Sequence, residues 1–357
     1  MRTLAIFLAF IALTVDAVWA KPPPRYVLQD LGTLPGHVNS YARRINDRNQ
    51  IIGSSEAAEV DDQEQERAFL WEEGAMNDLG TLPGNENSWV FEINDRGQII
   101  GAVPGAYLGA TPVEPPAGHV FLSAAYWSLN DQGAVAGTVR TFVDAPGGFD
   151  TAFVYQRGSV TLLPALSPGG ETVAVGINNR RQLLLHAQVS ATEYHPVLYS
   201  GRKTVDLATR PGVPMTEARA INIRGHVAGY TTIFQRAADG QVLSQTIHPC
   251  LYRKGRVSDL GLLPNTFSGE SVTLNDRDEV VGVCSQAVPN SNLSRTRPFL
   301  FTGQKMYDLE ELIGSTDGLT IHLIDINNHG WIVGSATRGA VTHAILLRPV
   351  RPTTLRK

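Results

Sequence analysis

The chain has 357 residues, a net charge of −4, 34 glycines and 21 prolines, and only 18% of its residues are charged. The near balance of charge argues against general nucleic-acid binding, which needs a basic surface. The glycine and proline content favours a turn-rich chain over a helical one.

The first twenty residues predict a secretory signal peptide. Arg2 precedes an apolar run over 4–15, and Ala20 ends a small-residue cleavage site. A retained membrane anchor is the alternative, but twelve apolar residues span only about 18 Å of a roughly 30 Å hydrocarbon core. We therefore expect a secreted or periplasmic protein, cleaved after Ala20, with no membrane association afterwards.

A nine-residue segment, which we call the anchor, recurs along the chain. It reads INDRNQIIG at 45–53 and INDRGQIIG at 93–101. The other copies are LNDQGAVAG at 129–137, INNRRQLLL at 177–185, INIRGHVAG at 221–229, LNDRDEVVG at 274–282 and INNHGWIVG at 326–334. Seven such copies indicate a repeat architecture.

The anchor chemistry is typical of a β-hairpin, because Asn, Asp and Gly accept the backbone of tight turns. Its Asn is thus predicted to be a turn residue, and its closing Gly to allow close approach of strands or blades. The Asn residues are Asn46, Asn94, Asn130, Asn178, Asn222, Asn275 and Asn327. The closing glycines are Gly53, Gly101, Gly137, Gly229, Gly282 and Gly334.

A second hairpin precedes most anchors and is clearest in AFLWEEGAMNDLGTLPG at 68–84. Its relatives begin at 152, 196, 249 and 298. The chain from an anchor to the next such hairpin varies in length, as in the insertions 55–66 and 103–118. Because length variation belongs to exposed loops, we expect the insertions on one face of the molecule.

These units predict an all-β fold, a single β-propeller of about seven four-stranded blades over residues 21–350. A β-solenoid or a row of small domains is the alternative, and six or eight blades stay open. The unit between Gly101 and Leu129 lacks a clear second hairpin, so its blade is expected to be degenerate or to have two or three strands. The termini carry complementary half-hairpins, which predicts ring closure by pairing of 26–31 with 344–347; residues 351–357 form a basic tail.

The units resemble the HAF repeats of exported, mainly bacterial proteins, whose pattern runs His-Ala-Phe-Leu-Trp, Gly, Asp-Leu-Gly-Thr-Leu-Gly-Gly, Ser-x-Ala and Ile-Asn-Asp-x-Gly-Gln-Val-Val-Gly. Residues 68–101 match nearly throughout, and the other copies match at the aromatic strand and the anchor. Pro83 replaces a Gly, and Pro replaces Ala at 196, 249 and 298. The resemblance implies export and β-rich repeats, and it implies no activity.

One set of cationic side chains precedes the aromatic strand of five units and forms the weak candidate for ligand binding. The set is Arg67, His195, His248, Arg297 and His343. A ring of such groups near the axis would suit an anion or a transition metal. The alternative places them at peripheral strand ends, too far apart to share a ligand.

Three further sets have structural explanations that we favour over metal or sugar binding. Asp47, Asp95, Asp131 and Asp276 recur in the turns and suit turn capping better than calcium. The acidic loop within 56–66 is interpreted as a solvated insertion. The aromatic set Trp71, Tyr155, Tyr199, Tyr252 and Phe301 is expected to pack one blade on the next.

Cys250 and Cys284 are the only cysteines, and an oxidising compartment permits a disulfide between them. Whether they bond depends on whether the strand register brings their Cα atoms within about 7 Å, which the sequence leaves open.

No catalytic motif, metal site or cofactor signature is present, and we expect a monomer. The first functional hypothesis is an exported, non-enzymatic scaffold that binds a protein or glycan through its variable-loop face. The alternative is a propeller hydrolase or lyase acting on extracellular polysaccharide. Carboxylates that converge within about 10 Å at one channel mouth would favour the enzyme.

Overall fold

A computed structural model describes residues 23–350, except 59–64, 82–83, 103–105, 110, 122–126, 142–147, 202, 238–240, 292 and 317. The predicted signal peptide and basic tail lie outside the described residues, as do the four acidic side chains of 59–64. In the described part of the chain, no helix has the length and apolar character needed to cross a membrane.

The described strands form seven antiparallel sheets, six with four strands and one with five. We call them blades 1 to 7 in the chain order of their first strands. β1 (Tyr26–Asp30) belongs to blade 7. Blade 1 contains β2 (His37–Ile45), β3 (Ile51–Ala57), β4 (Glu66–Glu72) and β5 (Ala75–Asp78). Blade 2 contains β6 (Trp89–Ile93), β7 (Ile99–Ala102), β8 (Ala106–Leu108) and β9 (Thr111–Val113). Blade 3 contains β10 (His119–Phe121), β11 (Ser128–Leu129), β12 (Val135–Thr141), β13 (Phe149–Gln156) and β14 (Ser159–Leu162).

The remaining blades follow the same order. Blade 4 contains β15 (Thr172–Ile177), β16 (Leu183–Gln188), β17 (Tyr194–Ser200) and β18 (Lys203–Asp206). Blade 5 contains β19 (Glu217–Ile221), β20 (Val227–Arg236), β21 (Val242–Arg253) and β22 (Arg256–Asp259). Blade 6 contains β23 (Ser268–Leu274), β24 (Val280–Ala287), β25 (Ser294–Thr302) and β26 (Lys305–Asp308), followed by the helix α1 (Leu309–Ile313). Blade 7 contains β27 (Thr320–Ile326), β28 (Ile332–Arg338), β29 (Val341–Pro349) and β1.

The blades are arranged in a closed ring. The first strand of each blade contacts the first strands of its two neighbours, and β27 of the last blade contacts β2 of the first. Seven hydrophobic clusters of buried residues lie one at each interface between neighbouring blades in the described chain. The fold is therefore a β-propeller, as the repeats predicted, since a single sheet cannot bury both its faces alone.

The terminal strands close the ring as predicted. β1 pairs antiparallel with β29, from Tyr26 opposite Pro349 to Asp30 opposite Ile345. The backbone N–H of Leu31 extends the ladder by donating to the carbonyl of Ala344 at 2.9 Å. Blade 7 thus takes three strands from the C-terminal end of the ring and one from the N-terminal end, and β1 covers the edge that β29 would otherwise expose.

The irregular unit keeps four strands, so the expectation of a two- or three-stranded blade is wrong. Blade 2 has the order β6-β7-β8-β9, with only three residues in each of its outer two strands. The first strand of blade 3 is divided into β10 and β11, which both pair with β12. The irregularity lies in strand length and continuity, because proline-rich stretches of this unit cannot donate to a long ladder.

A β-bulge recurs in the first strand of six blades. In blade 1 the ladder to β3 skips Arg43, which lies three residues before the anchor Asn. The residue skipped at the same position is Phe91, Val175, Arg219, Val272 or Ile324 in blades 2, 4, 5, 6 and 7. An extra residue on one strand interrupts the alternation of side chains, and this decides which residues line the channel.

The closing Gly of the anchor lies opposite the bulge. A Cβ at Gly53 would lie 2.1 Å from the carbonyl oxygen of Tyr41, and one at Gly334 would lie 1.9 Å from that of His322. Both contacts are impossible for a real Cβ, so a side chain here would displace the bulged strand. The predicted close approach is present, and it occurs between strands of one blade.

The aromatic set packs between blades, as interpreted from the sequence. Trp71, Tyr155 and Phe301 are buried in clusters at three different blade interfaces. Tyr199 and Tyr252 are partly buried and pack against two further clusters. Their ring faces are covered by neighbouring blades, so they do not form a sugar-binding surface.

Candidate functional site

Seven asparagine side chains form a closed hydrogen-bond ring around the axis. Each anchor Asn donates from Nδ2 to the backbone carbonyl of the next anchor Asn, beginning with Asn46 to Asn94 at 2.9 Å. The ring continues in chain order and closes with Asn327 donating to the carbonyl of Asn46 at 3.0 Å. Each Oδ1 also accepts from two backbone N–H groups of its own turn. The predicted turn residue therefore also joins neighbouring blades.

A second set of hydrogen bonds links neighbouring turns through the residue that follows the anchor Asn. The backbone N–H of Asp47 donates to Asp95 Oδ1 at 2.7 Å, and that of Asp95 donates to Asp131 Oδ1 at 2.8 Å. Burial and the neighbouring carboxylates raise the pKa of Asp95, although the N–H of Asp47 opposes the shift. The turn aspartates thus cap the adjacent turn, and among the described residues no group of three or more His, Cys, Asp or Glu side chains could hold a metal ion.

An apolar layer separates this end of the axis from the rest of the channel. The residue directly before the anchor Asn is Ile45, Ile93, Leu129, Ile177, Ile221, Leu274 or Ile326. Together with the turns they line a narrow cavity of about 190 Å³, and four of them also line the wider cavity beyond. The isoleucine and leucine layer thus lies between the two cavities.

The wider cavity has a volume of about 780 Å³ and is lined by the first strands of all seven blades. Both the second and the third residue before each anchor Asn contribute to its wall. The third residues are Arg43, Phe91, Trp127, Val175, Arg219, Val272 and Ile324. The second residues are Arg44, Glu92, Ser128, Gly176, Ala220, Thr273 and Asp325. In a regular strand only one of two consecutive side chains would face the channel, so the bulge accounts for the second.

The wide cavity lies on the side of the ring that carries the long connections. The anchor turns and the two-residue turns between third and fourth strands are at the opposite end, which we call the anchor face. The connections between second and third strands, and those between blades, lie at the loop face. The described residues of the insertions predicted to share one face therefore lie at the end of the channel that holds the wide cavity.

One charged cluster in this cavity joins blades 7, 1 and 2. Arg44 Nε donates to Glu92 Oε2 at 3.0 Å, and Asp325 Oδ2 accepts from the backbone N–H of Ile45 at 3.0 Å. Burial raises the pKa of Glu92 to about 7; Arg44 opposes this shift, and the charge of Asp325 adds to it. Burial also raises the pKa of Asp325, while Arg44 and the N–H donors oppose that change. Two carboxylates therefore flank one guanidinium in the channel wall.

A second ion pair lies between blades 5 and 6. Arg219 Nη2 is 3.4 Å from Glu270 Oε2, and the Arg219 guanidinium lies 5.5 Å from the centre of the Tyr230 ring. The side chains of Arg219 and Glu270 are 31% and 44% exposed. This pair is thus more accessible than the Arg44–Glu92 pair.

Aromatic rings form another part of the wall, on blades 2 and 3. Phe91 stacks on Trp127 with ring centres 6.1 Å apart and planes 10° apart. Trp127 is buried, with Phe121 and Phe153 against its other sides. Phe91 is only partly buried, and its accessible surface lies on the cavity wall.

The five cationic candidates lie on the third strands of their blades, two strands from the channel. Each pairs with an aspartate on the fourth strand of its own blade. The pairs are Arg67–Asp78 at 3.3 Å, His195–Asp206 at 2.8 Å, His248–Asp259 at 2.9 Å, His343–Asp30 at 2.8 Å and Arg297–Asp308. The five side chains therefore lie at the periphery of the propeller and share no cavity among the described residues. Their role in ligand binding stays a prediction.

The disulfide that the sequence left open between Cys250 and Cys284 is not formed. Cys250 lies in the cluster between blades 4 and 5, Cys284 lies in the cluster between blades 5 and 6, and both are buried free thiols. Burial raises the pKa of each thiol. The strand register assigns the two sulphurs to different interfaces, which the sequence could not reveal.

Sequence reasoning missed the residues of the wide cavity. Their signal is present in the repeats, because the anchor Asn and the apolar residue before it hardly vary among the seven copies. The two positions before that apolar residue hold a different combination of side chains in every copy. An alignment of the repeats extended two residues upstream would have identified them.

Solved structures share the fold at low sequence identity. The β-propeller domain of the Trilobed protease from Pyrococcus furiosus is 9% identical, with 92% of this chain and 99% of that domain covered and a TM-score of 0.52. Acylaminoacyl peptidase from Pyrococcus horikoshii is 12% identical over 88% of this chain, which spans about half (52%) of that protein, with a TM-score of 0.53. The propeller of the Trilobed protease is described as having an open velcro topology. In the present chain, by contrast, the terminal strands β1 and β29 pair within one blade.

Comparison with protein-family models and with curated protein sequences gives no match. The structural likeness therefore defines the class of fold, a β-propeller, and leaves the resemblance to HAF repeats as a prediction.

Proposed function

We propose that this chain is an exported propeller of HAF-like repeats that binds a glycan in the wide cavity at its loop face. The observation that carries the proposal is the contrast between uniform and varied positions within the repeats. The anchor Asn is the same in all seven blades, whereas the second residue before it is charged in three and small or hydroxylated in four. These varied positions place three charged and two hydroxylated side chains in the channel wall, which the packing of a structural ring does not require.

The cavity has the size and the groups that a saccharide requires. A volume of about 780 Å³ falls within the range of about 300–1,000 Å³ usual for small-molecule sites. Guanidinium and carboxylate groups supply donors and acceptors for hydroxyls, and Phe91 supplies an apolar face. The cavity is too narrow for a folded protein domain, so a glycan end is a better occupant than a protein partner.

A glycan array followed by titration calorimetry tests this proposal with a matched pair of variants. Arg43 and Arg96 are both exposed arginines, but Arg43 lines the wide cavity and Arg96 lies in a turn at the anchor face. Arg43→Ala should weaken binding by at least about tenfold, since a charge-assisted hydrogen bond is lost. Arg96→Ala should leave the affinity unchanged.

Equal effects of the two substitutions, or no glycan bound at all, would contradict the proposal. Circular dichroism of both variants confirms that neither has lost the fold.

The second candidate function is a hydrolase or lyase acting on polysaccharide, and the Glu92–Arg44–Asp325 cluster favours it. Two carboxylates in one cavity can divide acid and base roles when their environments differ. Glu92, with a pKa of about 7, could supply a proton near neutral pH. Asp325 is held by two backbone N–H groups, which fixes its position.

The enzyme hypothesis is tested by incubating the array-identified glycan with the protein and measuring new reducing ends or unsaturated products. Glu92→Gln keeps the size of the side chain but removes the titrating proton. It should abolish turnover and leave glycan affinity within about threefold if Glu92 is the acid. Turnover that survives in Glu92→Gln would refute that role, and absence of turnover in the native protein supports the binding function alone.

A further inference from the structure

The wide cavity has two unlike walls that face each other. Phe91 and Trp127 lie on blades 2 and 3, and the Arg219–Glu270 pair lies on blades 5 and 6. In a closed ring of seven blades, the point opposite blade 2 falls between blades 5 and 6. An occupant of the channel therefore meets an aromatic surface on one side and an ion pair on the other.

The ion pair places a donor group beside an acceptor group. Arg219 offers N–H donors, Glu270 offers carboxylate oxygens, and the two groups are 3.4 Å apart at their closest atoms. Two hydroxyls on adjacent carbons can use both groups at once, one accepting from the guanidinium and the other donating to the carboxylate. The pair is thus suited to a vicinal diol.

At a pH above the raised pKa values of Glu92 and Asp325, the charges of the cavity are balanced within the wall. Arg44 pairs with Glu92 and Arg219 pairs with Glu270, and Asp325 offsets the remaining Arg43. A carboxylate brought in by an acidic sugar would meet three acidic side chains that already have cationic neighbours. The cavity therefore offers little net attraction to an acidic ligand.

We propose that the wide cavity takes a neutral hexopyranose end group with adjacent free hydroxyls. One ring face of the sugar packs on Phe91, and a vicinal diol bonds to Arg219 and Glu270. This inference rests on the proposed glycan-binding function and adds the class of sugar to it.

Titration calorimetry of the full chain with methyl hexosides and with the methyl uronosides of the same configuration tests the class. At least one neutral hexoside should bind about tenfold more tightly than its uronoside, and its deoxy analogues at the diol should bind about tenfold more weakly. Phe91→Leu should weaken binding by a similar factor, whereas Phe149→Leu, at an exposed site outside the cavity wall, should not.

Glu270→Gln tests the diol contact. It removes the carboxylate that accepts from a sugar hydroxyl and should weaken binding of the hexoside by about tenfold, with little effect on the deoxy analogue that lacks this hydroxyl. All titrations are made at a pH above the raised pKa of Glu92, where the cavity charges are balanced. An unchanged affinity in Glu270→Gln, or tighter binding of the uronoside, would overturn the inference.

Failure of this inference can be distinguished from failure of glycan binding. If longer or acidic glycans bind in a manner that Arg43→Ala weakens but no neutral hexoside binds, the proposed function stands and the hexopyranose assignment is wrong. If no glycan of any class binds, both are wrong.

Discussion

The hydrogen-bond ring predicts that one substitution at Asn46 weakens the whole propeller. The side chain is 4% exposed and makes four hydrogen bonds, to the carbonyl of Asn94 (2.9 Å), Gln50 Oε1 (2.8 Å) and the N–H groups of Arg48 and Gln50 (3.0 and 2.9 Å). Asn46→Ala removes all four. At about 1 kcal/mol for each bond, the free energy of unfolding should fall by about 4 kcal/mol, a large part of the ~5–15 kcal/mol typical of folded proteins.

Urea unfolding followed by tryptophan fluorescence measures this loss, and Asn77→Ala is the matched control. Asn77 is an exposed asparagine on β5 whose side chain makes one long bond, of 3.4 Å, to the carbonyl of Leu70. Its removal should cost less than about 0.5 kcal/mol. If Asn46→Ala also lost less than about 1 kcal/mol, the ring would be a consequence of the fold and would contribute little to its stability.

Three other predictions follow from buried or crowded groups. Because the pKa of Glu92 is raised from 4.5 to about 7, the folded protein binds a proton more tightly than the unfolded chain, so stability should fall as pH rises from about 4.5 to 7. Glu92→Gln should flatten that slope, by up to about 3 kcal/mol in urea titrations at the two ends of the window; an identical slope in the variant would contradict the assignment. Gly53→Ala, whose Cβ would lie 2.1 Å from the Tyr41 carbonyl oxygen, should cost about 3 kcal/mol or more in thermal or urea unfolding, and a loss below about 1 kcal/mol would show that the bulge moves freely. Cys250 and Cys284 should not react with a thiol reagent in the native protein, since both are buried with raised pKa values, and both should react after unfolding without reductant; a disulfide found by mass spectrometry would refute this.

Much of the scaffold can be predicted from the sequence because the residues that determine each hairpin lie within a single repeat. Asn46 and its equivalents adopt the turns that their chemistry favours, and the fourth residue of the turn has a positive φ, as in Asn49 (61°) and Gly97 (78°). Ring closure was also readable, because the pairing of β1 with β29 completes a hairpin that every other blade contains whole. The turn residues bond to groups within their own repeat. The half-hairpins at the two ends of the chain each lack a partner strand that the other supplies.

The contacts of the candidate site could not be predicted, because they form between strands and blades; only the variation upstream of each anchor marks its residues. The hydrogen bond from Asn46 to Asn94 joins two blades. The turn alone already accounts for an Asn at this position, so the sequence does not reveal the bond. The position of Arg43 at a bulge depends on how β2 pairs with β3, and nothing in the composition of either strand marks the skipped residue. The separation of the two cysteines likewise depends on strand register across an interface.

The bulge and the glycine opposite it explain how one repeat can build both a rigid ring and a varied cavity. The anchor Asn and the apolar residue before it are fixed by contacts to the neighbouring blade, so their identity cannot change without cost to the ring. The bulge turns the next two residues toward the channel, where Arg44 and Glu92 meet each other across blades. Because most of these positions are only partly buried, each blade can hold a different side chain there. The chemistry of the cavity is therefore set by residues that the fold leaves free to vary, and this is why a function is more plausibly sought among them than among the repeated residues.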